Sequence, residues 1–451
     1  VQARFGTDGV RGVANEELTA ELALAIGRAA ARILPAPAFV VGRDTRRSGP
    51  LLQAALSAGL ATEGADVIDL GVIPTPGVAT VAEHRKLPGA MVSASHNPFG
   101  DNGIKLFSLL GTKLPVDVEF EVSAELDSIL DDAERPPRRP TGRGVGRIMT
   151  EPDAADLYRQ RLAASTEGRR LGGLHIVVDC ANGAASSFAP GVLADLGAEV
   201  TALNHSPDGT NINERCGSTD PSGLSGAVNE LGADLGLALD GDADRVIAVD
   251  ANGVIVDGDV LLALFALDLA SRGRLAGNTV VVTVMTNLGF RLAMQSHGIG
   301  VRETDVGDRH VLAALDADGL ALGGEQSGHI IFRSQSTSGD GILTGIALAD
   351  LMLRSERSLA QLADGLVERV PQVLVNVPIP QPERLADSAE VWDAVARAEA
   401  ELGQEGRILL RASGTEPLVR VMVEARLEAQ ANAVAAQLAG LVEAALGQVS
   451  G

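Results

Sequence analysis

Most of the chain repeats one pattern: a short apolar run, a turn carrying Gly or Asp, then a stretch with apolar residues at helical spacing. Residues 19–34 have helical spacing. Residues 38–41 form a buried apolar run closed by a turn at Gly42-Arg43-Asp44. A helix from Pro50, a strand over 66–70 and a strand over 90–93 follow. Residues 134–147, rich in Pro, Arg and Gly, interrupt the pattern. It restarts with a helix near Asp153 and strands over 174–178, 199–203, 234–239 and 246–249. A third round opens near Gly258, with a strand over 279–284, a helix after Asn287, and helices over 341–354 and 359–369. Such alternation predicts parallel or mixed sheets covered by helices.

The last stretch is built differently. Residues 372–378 alternate and stop at a Pro, as an edge strand does. A helix over 386–402, strands over 407–410 and 419–424 and a closing helix complete it. The expectation is an α/β chain of three units, 1–150, 151–256 and 257–370, followed by a distinct α+β domain over 371–451. No short-period repeat of the solenoid kind is present.

Composition sharpens this picture. A chain of 451 residues has room for three or four domains and for large cores without disulfides. With aromatics at 2%, those cores are made of Ala, Val, Leu and Ile, and stacking surfaces for single-stranded nucleic acid are scarce. The net charge of -22 repels phosphate backbones and anionic lipid, so neither nucleic acid nor membrane is an expected partner. It also requires that any anionic substrate be met by locally concentrated basic groups. Two cysteines, Cys180 and Cys216, suggest no disulfide framework. No apolar run is long enough to span a bilayer, and the first residues lack a signal-peptide pattern, so a soluble cytoplasmic protein is expected.

Ligands of open α/β sheets bind beyond the carboxyl ends of strands. Four polar, Gly-containing loops follow apolar strands here, one in each segment. The first runs from Ser93-Ala94-Ser95-His96-Asn97-Pro98 through Asp101-Asn102-Gly103 to Lys105. A serine there suits a phosphoryl acceptor, and Lys105 a proton partner of a sugar hydroxyl or a phosphate holder. Taken alone, the string reads as a Ser/Asn turn with a helix cap and a solvated lysine. In the second, Asp240-Gly241-Asp242-Ala243-Asp244-Arg245, three carboxylates at alternate positions converge on one point if the loop stays extended. Hard oxygen ligands suit Mg²⁺, and three like charges this close call for a cation. An EF-hand is excluded, because Arg245 stands where its glycine belongs and Ala251 where its bidentate Glu belongs.

The third loop is Gly323-Gly324-Glu325-Gln326-Ser327-Gly328-His329. Glu325 and Ser327 can accept from and donate to sugar hydroxyls, and His329 can act as an acid, a base or a phosphate contact. A tight turn between two strands explains the string equally well. The fourth, Arg411-Ala412-Ser413-Gly414-Thr415-Glu416-Pro417 with Arg420 nearby, combines hydroxyls, a glycine-permitted backbone and two guanidiniums into a phosphate cradle. Two weaker loops join them: the turn around Arg11 in Phe5-Gly6-Thr7-Asp8-Gly9-Val10-Arg11-Gly12, and Gly307-Asp308-Arg309 after a strand. Arg43 and Asp44 read as structural. Together, a hydroxyl nucleophile, a hard-metal site, a hydroxyl-reading loop and a separate phosphate cradle describe phosphoryl transfer to and from a phosphosugar. Neither GxxxxGK[ST] nor GxGxxG occurs, which argues against a nucleotide donor.

In this order the loops resemble those of the α-D-phosphohexomutase family, over essentially the whole chain. The resemblance implies four domains around a central cleft, three of them related α/β folds, with the fourth hinging to close the cleft. It implies that Ser95 is the catalytic serine, carried as phosphoserine, and that Asp240, Asp242 and Asp244 hold one Mg²⁺ with an oxygen of that phosphoserine. Lys105 and Arg11 match residues that flank it and help proton transfer. Glu325 and Ser327 match the sugar-reading loop, with His329 close to the reacting group. Arg245, Asp308 and Arg309 are further expected substrate contacts. Arg411, Ser413, Gly414, Thr415 and Arg420 match the loop that grips the non-reacting phosphate.

The implied reaction passes through a hexose 1,6-bisphosphate, which also serves as activator. The opening FGTDGVRG, the GEQSGH loop, the GDR turn and the CGSTD run at Cys216 resemble the branch that acts on glucosamine phosphate, on the route to UDP-N-acetylglucosamine and cell wall. His310 departs from the Tyr expected after GDR. Glucose- or mannose-phosphate mutases of the same family are the nearest alternative. A non-catalytic phosphosugar-binding protein and a plain phosphatase lie further off. The oligomeric state is open, a homodimer being one form it allows.

Overall fold

The computed structural model of the chain describes residues 5–6, 9–131, 139–413 and 417–447. The first segment is built of β1 (Phe5–Gly6), β2 (Gly9–Val13), α1 (Ala20–Ile33), β3 (Ala38–Arg43), α2 (Gly49–Thr62), β4 (Asp66–Val72), α3 (Thr75–Arg85), β5 (Gly89–Val92), β6 (Asp101–Phe107), α4 (Val116–Asp131) and β7 (Ile148–Thr150). Its seven strands lie in the order β1-β2-β6-β5-β3-β4-β7. β3 runs parallel to β4 and β5, whereas β6 is antiparallel to β5 and β2. The sheet is therefore mixed. Phe39 and Val41 of β3 and Leu52, Leu56 and Leu60 of α2 are fully buried in one cluster, so apolar side chains from helix and sheet fill the layer between them.

The second segment holds α5 (Asp156–Ala164), β8 (His175–Asp179), α6 (Ala189–Asp195), β9 (Glu199–Leu203), α7 (Ser222–Leu231), β10 (Leu235–Leu239), β11 (Val246–Asp250) and β12 (Ile255–Val256). The strand order is β12-β11-β10-β8-β9, again mixed. The third holds α8 (Gly258–Ser271), β13 (Thr279–Thr283), α9 (Leu288–Ser296), β14 (Gly300–Thr304), α10 (Asp308–Asp318), β15 (Leu322–Gly324), β16 (Ile330–Phe332), α11 (Gly341–Ser355) and α12 (Leu359–Ala363). β13 is parallel to β15, and β15 antiparallel to β16. The last segment is an antiparallel sheet, β17 (Gln372–Pro378), β18 (Gly406–Ala412) and β19 (Leu418–Ala425), in the order β17-β19-β18. It packs with α13 (Ala389–Leu402) and α14 (Glu428–Leu446) around Val391, Val419, Val421 and Val442.

Three expectations change. The apolar run at 38–41 continues as strand through Arg43, so the turn begins two residues later, at Asp44. The helix expected over 359–369 stops at Ala363, because Gly365 takes φ 64°, a left-handed conformation that ends the turn. The helix expected over 386–402 starts at Ala389, after a 3-10 turn at Pro382–Asp387. Both cysteines are buried thiols. Among the described residues, no helix is long and apolar enough to cross a membrane.

Cα packing divides the chain into two compact units. Unit 1 comprises Val1–Thr283 and Arg302–Asp364, and unit 2 comprises Val284–Val301 and Gly365–Gly451. Unit 2 thus combines α9 with the C-terminal sheet. Glu424 on β19 is fully buried; it accepts hydrogen bonds from Asn287 Nδ2 (3.0 Å) and Leu288 N (3.2 Å) and pairs with Arg407 at 2.8 Å. Arg407 also donates to the Val284 and Thr286 carbonyls.

Candidate active site

Within unit 1 the loop after β5 places Ser95 in the left-handed region, at φ 52°. Its hydroxyl donates to Asp240 Oδ2 at 2.6 Å. Ser93 is oriented otherwise: its hydroxyl donates to Asp44 Oδ2 (2.7 Å) and accepts from the Ser95 amide (2.9 Å). Of the two serines, only Ser95 meets the carboxylate loop. The fully buried pair Asp44–Arg46 sits beneath. Arg46 donates to the carbonyls of Ser95 (2.9 Å), Asn97 (2.8 Å), Asp101 (3.0 Å) and Pro98. Asp44, read from sequence as structural, thus orders the serine loop.

Asp240, Asp242 and Asp244 are all buried, with ligand oxygens within 4.8 Å of one another. They converge not along an extended loop but around a turn in which Ala243 takes φ 57°. Gly241 is needed for close approach, since a Cβ there would lie 2.6 Å from the Ser95 carbonyl oxygen. Thr75 at the start of α3 donates to Asp242 Oδ2 at 2.6 Å, and Lys105 Nζ donates to the same oxygen at 2.8 Å and lies 3.5 Å from Asp244 Oδ2. Burial, reinforced by Asp244 and Asp242, raises the Asp240 carboxyl well above its ordinary range. Burial also raises Asp244, but Lys105, His329 and Arg245 outweigh it and hold that carboxyl well below the usual range. Asp242 Oδ1 and Asp244 Oδ1 make no hydrogen bond among the described residues. Asp244 Oδ1 lies 3.7 Å from Arg245 Nε; carboxylate oxygens without a hydrogen bond, beside mutually repelling charges, are what a hard divalent cation satisfies, so the residues present fit a metal.

Arg11 on β2 faces Gly103 on β6, and Lys105 lies two residues further along β6. The antiparallel register puts Arg11 and Lys105 on the same face. His96 Nδ1 is 3.5 Å from Ser95 Oγ and 3.2 Å from Arg245 Nη1. Burial, then Arg245 and Arg11, lowers this imidazole to about 4, so it is neutral at neutral pH.

The loop between β15 and β16 brings in His329, whose Nδ1 is 3.7 Å from Asp244 Oδ2 and whose Nε2 is 3.6 Å from Asp308 Oδ2. Burial lowers the His329 pKa, but Asp244, Asp308 and Glu325 outweigh it and raise it. The Gly339 amide, however, donates to Nε2 at 3.0 Å and so needs an acceptor there. These influences oppose each other; the backbone contact is the shorter and selects the tautomer with its proton on Nδ1. Glu325 Oε1 accepts from the Gly307 amide (3.1 Å), which ties the sugar-loop candidate to the GDR turn. The Ser327 hydroxyl is buried and makes no hydrogen bond among the described residues. Asp308 pairs with Lys113 (2.6 Å), and Arg309 donates to both oxygens of Glu119 (2.8 Å). The carboxylate loop, Ser95, Lys105, His329 and Asp308 thus form one cluster, with Arg309 held against α4.

In unit 2, Arg411 on β18 and Arg420 on β19 are directly opposite in register, and the Ser413 amide donates to the Leu418 carbonyl at 2.9 Å. The register sets the two guanidiniums side by side on one face of the sheet. Gly414 and Thr415 lie outside the described residues. Arg46, Thr75 and Asn213 were not singled out from sequence, and His96 was read only as part of its loop, with no role of its own. Asn213 donates to the carbonyls of Ser95 (2.9 Å) and Asn97 (3.0 Å).

Comparison with known proteins covers almost the whole chain. Phosphoglucomutase/phosphomannomutase alpha/beta/alpha domains I, II and III match residues 2–132, 156–253 and 257–370, and the C-terminal domain of that family matches 374–441. A phosphoglucosamine mutase of Saccharopolyspora erythraea is 54% identical over 447 residues, 98% of this chain and 99% of its own. One from Symbiobacterium thermophilum is 51% identical over 449 residues, with 98% and 99% covered. The crystal structure of a phosphoglucomutase/phosphomannomutase family protein from Burkholderia thailandensis is similar, with TM-score 0.81 and 27% identity over 99% of this chain and 98% of that one. The Aspergillus fumigatus N-acetylphosphoglucosamine mutase, solved with GlcNAc-6P and magnesium, shares the fold at TM-score 0.69 and 19% identity, with 99% and 96% covered.

Proposed function

The chain belongs to the phosphoglucomutase/phosphomannomutase family, and on that footing we propose that it is an isomerase, a phosphoglucosamine mutase that interconverts glucosamine 6-phosphate and glucosamine 1-phosphate. The substrate assignment is supported by relatives of that name at 51–54% identity over nearly the full length. The chemistry is supported above all by one observation: the Ser95 hydroxyl lies 2.6 Å from Asp240 inside a buried carboxylate cluster.

Ser95 carries the phosphoryl group as phosphoserine and gives it to the free hydroxyl of the hexosamine phosphate. The resulting 1,6-bisphosphate turns over and returns its other phosphate to Ser95. Supplied in trace, a sugar 1,6-bisphosphate primes the serine. Lys105 and Arg11 neutralise the transferring group and share its protons, and His329 faces the reacting hydroxyl. Glu325 and Ser327 read the sugar hydroxyls, assisted by Arg245, Asp308 and Arg309. Arg411, Ser413, Gly414, Thr415 and Arg420 grip the phosphate that is not transferred. Ser95, Asp240, Asp242 and Asp244 would hold one Mg²⁺, which when bound offsets charge on the phosphoryl oxygens. The reading carries with it a cytoplasmic enzyme that contacts neither nucleic acid nor membrane.

The test is mutase turnover with Mg²⁺ and a trace of sugar 1,6-bisphosphate, comparing glucosamine, glucose and mannose phosphates at equal concentration. Preference for glucosamine phosphate, abolished in Ser95→Ala, is the expected result. Preference for glucose or mannose phosphate keeps the chemistry and overturns the substrate. Release of free phosphate alone makes the protein a phosphatase.

A further inference from the structure

We propose that Asn213, together with Arg46, is a positioning residue that clamps the phosphoryl-carrying serine from two sides; this rests on the reading of Ser95 as that carrier. Ser95 holds φ 52°, a backbone conformation that L residues other than glycine seldom adopt and that persists only when the surroundings impose it. The surroundings here are two side chains aimed at the same two carbonyls. Arg46 donates to Ser95 O at 2.9 Å and Asn97 O at 2.8 Å. Asn213 donates to Ser95 O at 2.9 Å and Asn97 O at 3.0 Å.

The two clamps come from different parts of the chain. Arg46 follows β3, is wholly buried, and is itself fixed by Asp44 at 2.9 Å. Asn213 lies in the loop after β9 and also holds a left-handed φ of 57°. The clamp also touches the carboxylate loop. A Cβ on Gly241 would meet Ser95 O at 2.6 Å and Asn213 Nδ2 at 2.9 Å, so serine loop, Asn213 and the residue beside Asp240 fit together with no spare room. With both carbonyls held by two donors each, the Ser95 backbone is fixed and its oxygen keeps one line of approach. A carrier that gives and takes a phosphoryl group in every turnover needs that line restored each time, and small misplacements of a reacting atom are costly.

Arg46 is too deeply buried for a clean test, because its removal can unfold the domain. Asn213 is only half-buried. The full chain with Mg²⁺ should be compared with Asn213→Ala and with the isosteric Asn213→Asp, which keeps the shape but presents oxygen where the carbonyls need a donor. Four quantities are read: the kcat and the KM for glucosamine phosphate, the single-turnover rate of Ser95 phosphorylation by sugar 1,6-bisphosphate followed by intact mass, and the thermal midpoint. Both variants should lose about 10- to 100-fold in kcat and in the single-turnover rate with KM close to wild type, a loss far larger than the small fall in midpoint that alanine's strain at a left-handed φ brings in Asn213→Ala. Unchanged rates in Asn213→Ala, or rates that fall only in step with the midpoint, overturn the clamp. Absence of Ser95 labelling in the wild-type chain overturns the carrier reading, and the clamp with it.

Discussion

Asp242 uses one carboxylate oxygen for both Thr75 and Lys105 and leaves the other, Oδ1, without a hydrogen bond. That division of labour predicts a measurable linkage. A cation that binds the folded chain alone stabilises it by about 2.7 kcal/mol at a hundredfold excess over its dissociation constant. Mg²⁺ should therefore raise the thermal midpoint of the wild-type chain, and chelation should lower it again. In Asp242→Asn the Mg²⁺-dependent rise should shrink or vanish; an equal rise in both proteins would remove Asp242 from the ligand set. At this scale the strings proposed to carry chemistry were legible, because Ser95, Lys105 and the three aspartates, which the fold brings together, each sit in a short, recognisable loop. Their supports were not. Arg46, Asn213 and Thr75 act across 49, 118 and 167 residues of sequence, where no periodicity or spacing rule reaches.

Among the helices, α11 rests on an acidic cap. Asp340 accepts from the Leu343 amide at 2.9 Å and the Tyr158 hydroxyl at 3.0 Å, and burial raises it to about 6. A carboxyl whose folded value lies above its unfolded one holds its proton longer in the folded chain. Stability from this group is therefore complete below about pH 4 and declines as pH rises to about 6, by roughly 3 kcal/mol if the whole shift is expressed. Asparagine caps a helix as well as aspartate does. Urea unfolding of Asp340→Asn should thus show weaker pH dependence between pH 4 and 6.5 than wild type, and parallel curves would refute the assignment. On the strand pair β18/β19, Arg420→Ala removes one of the two guanidiniums that face each other in register, and KM for the phosphosugar should rise about tenfold or more. A fall in midpoint with KM unchanged would assign Arg420 to the fold instead. Elements with long, regular apolar patterns, such as β9 and β17, have the bounds their sequence predicts. β15 and β16 are three residues each, too short for alternation to declare itself, and could be anticipated only as flanks of the glycine-rich turn.

On the scale of the whole chain, sequence showed four segments, but not that Val284–Val301 would pack with residues beyond 364. That packing depends on Glu424, whose partners are on α9's first turn and on β18, and a buried carboxylate is invisible in a pattern that reads only apolar periodicity. Native-state hydrogen exchange should therefore place the amides of α9 in the same cooperative group as β17–β19 and not with β3 or β8. Arg407→Ala removes the cation bonded to the buried Glu424 carboxylate and leaves Arg291 as its remaining positive neighbour, at a cost of up to about 3–5 kcal/mol. It should lower protection across α9 and the C-terminal sheet together and leave β3 and β8 unchanged; loss in the sheet alone would dissolve the grouping. The same stitch sets an order of events during translation. Asn287 precedes Glu424 by 137 residues, so at 5–20 residues per second it waits about 7–27 s for its partner to be synthesised. Through that interval the Asn287 side chain and the Leu288 amide, the two donors at the start of α9, are without the carboxylate they bond in the folded chain, so the cap of this helix is completed only when β19 has been made.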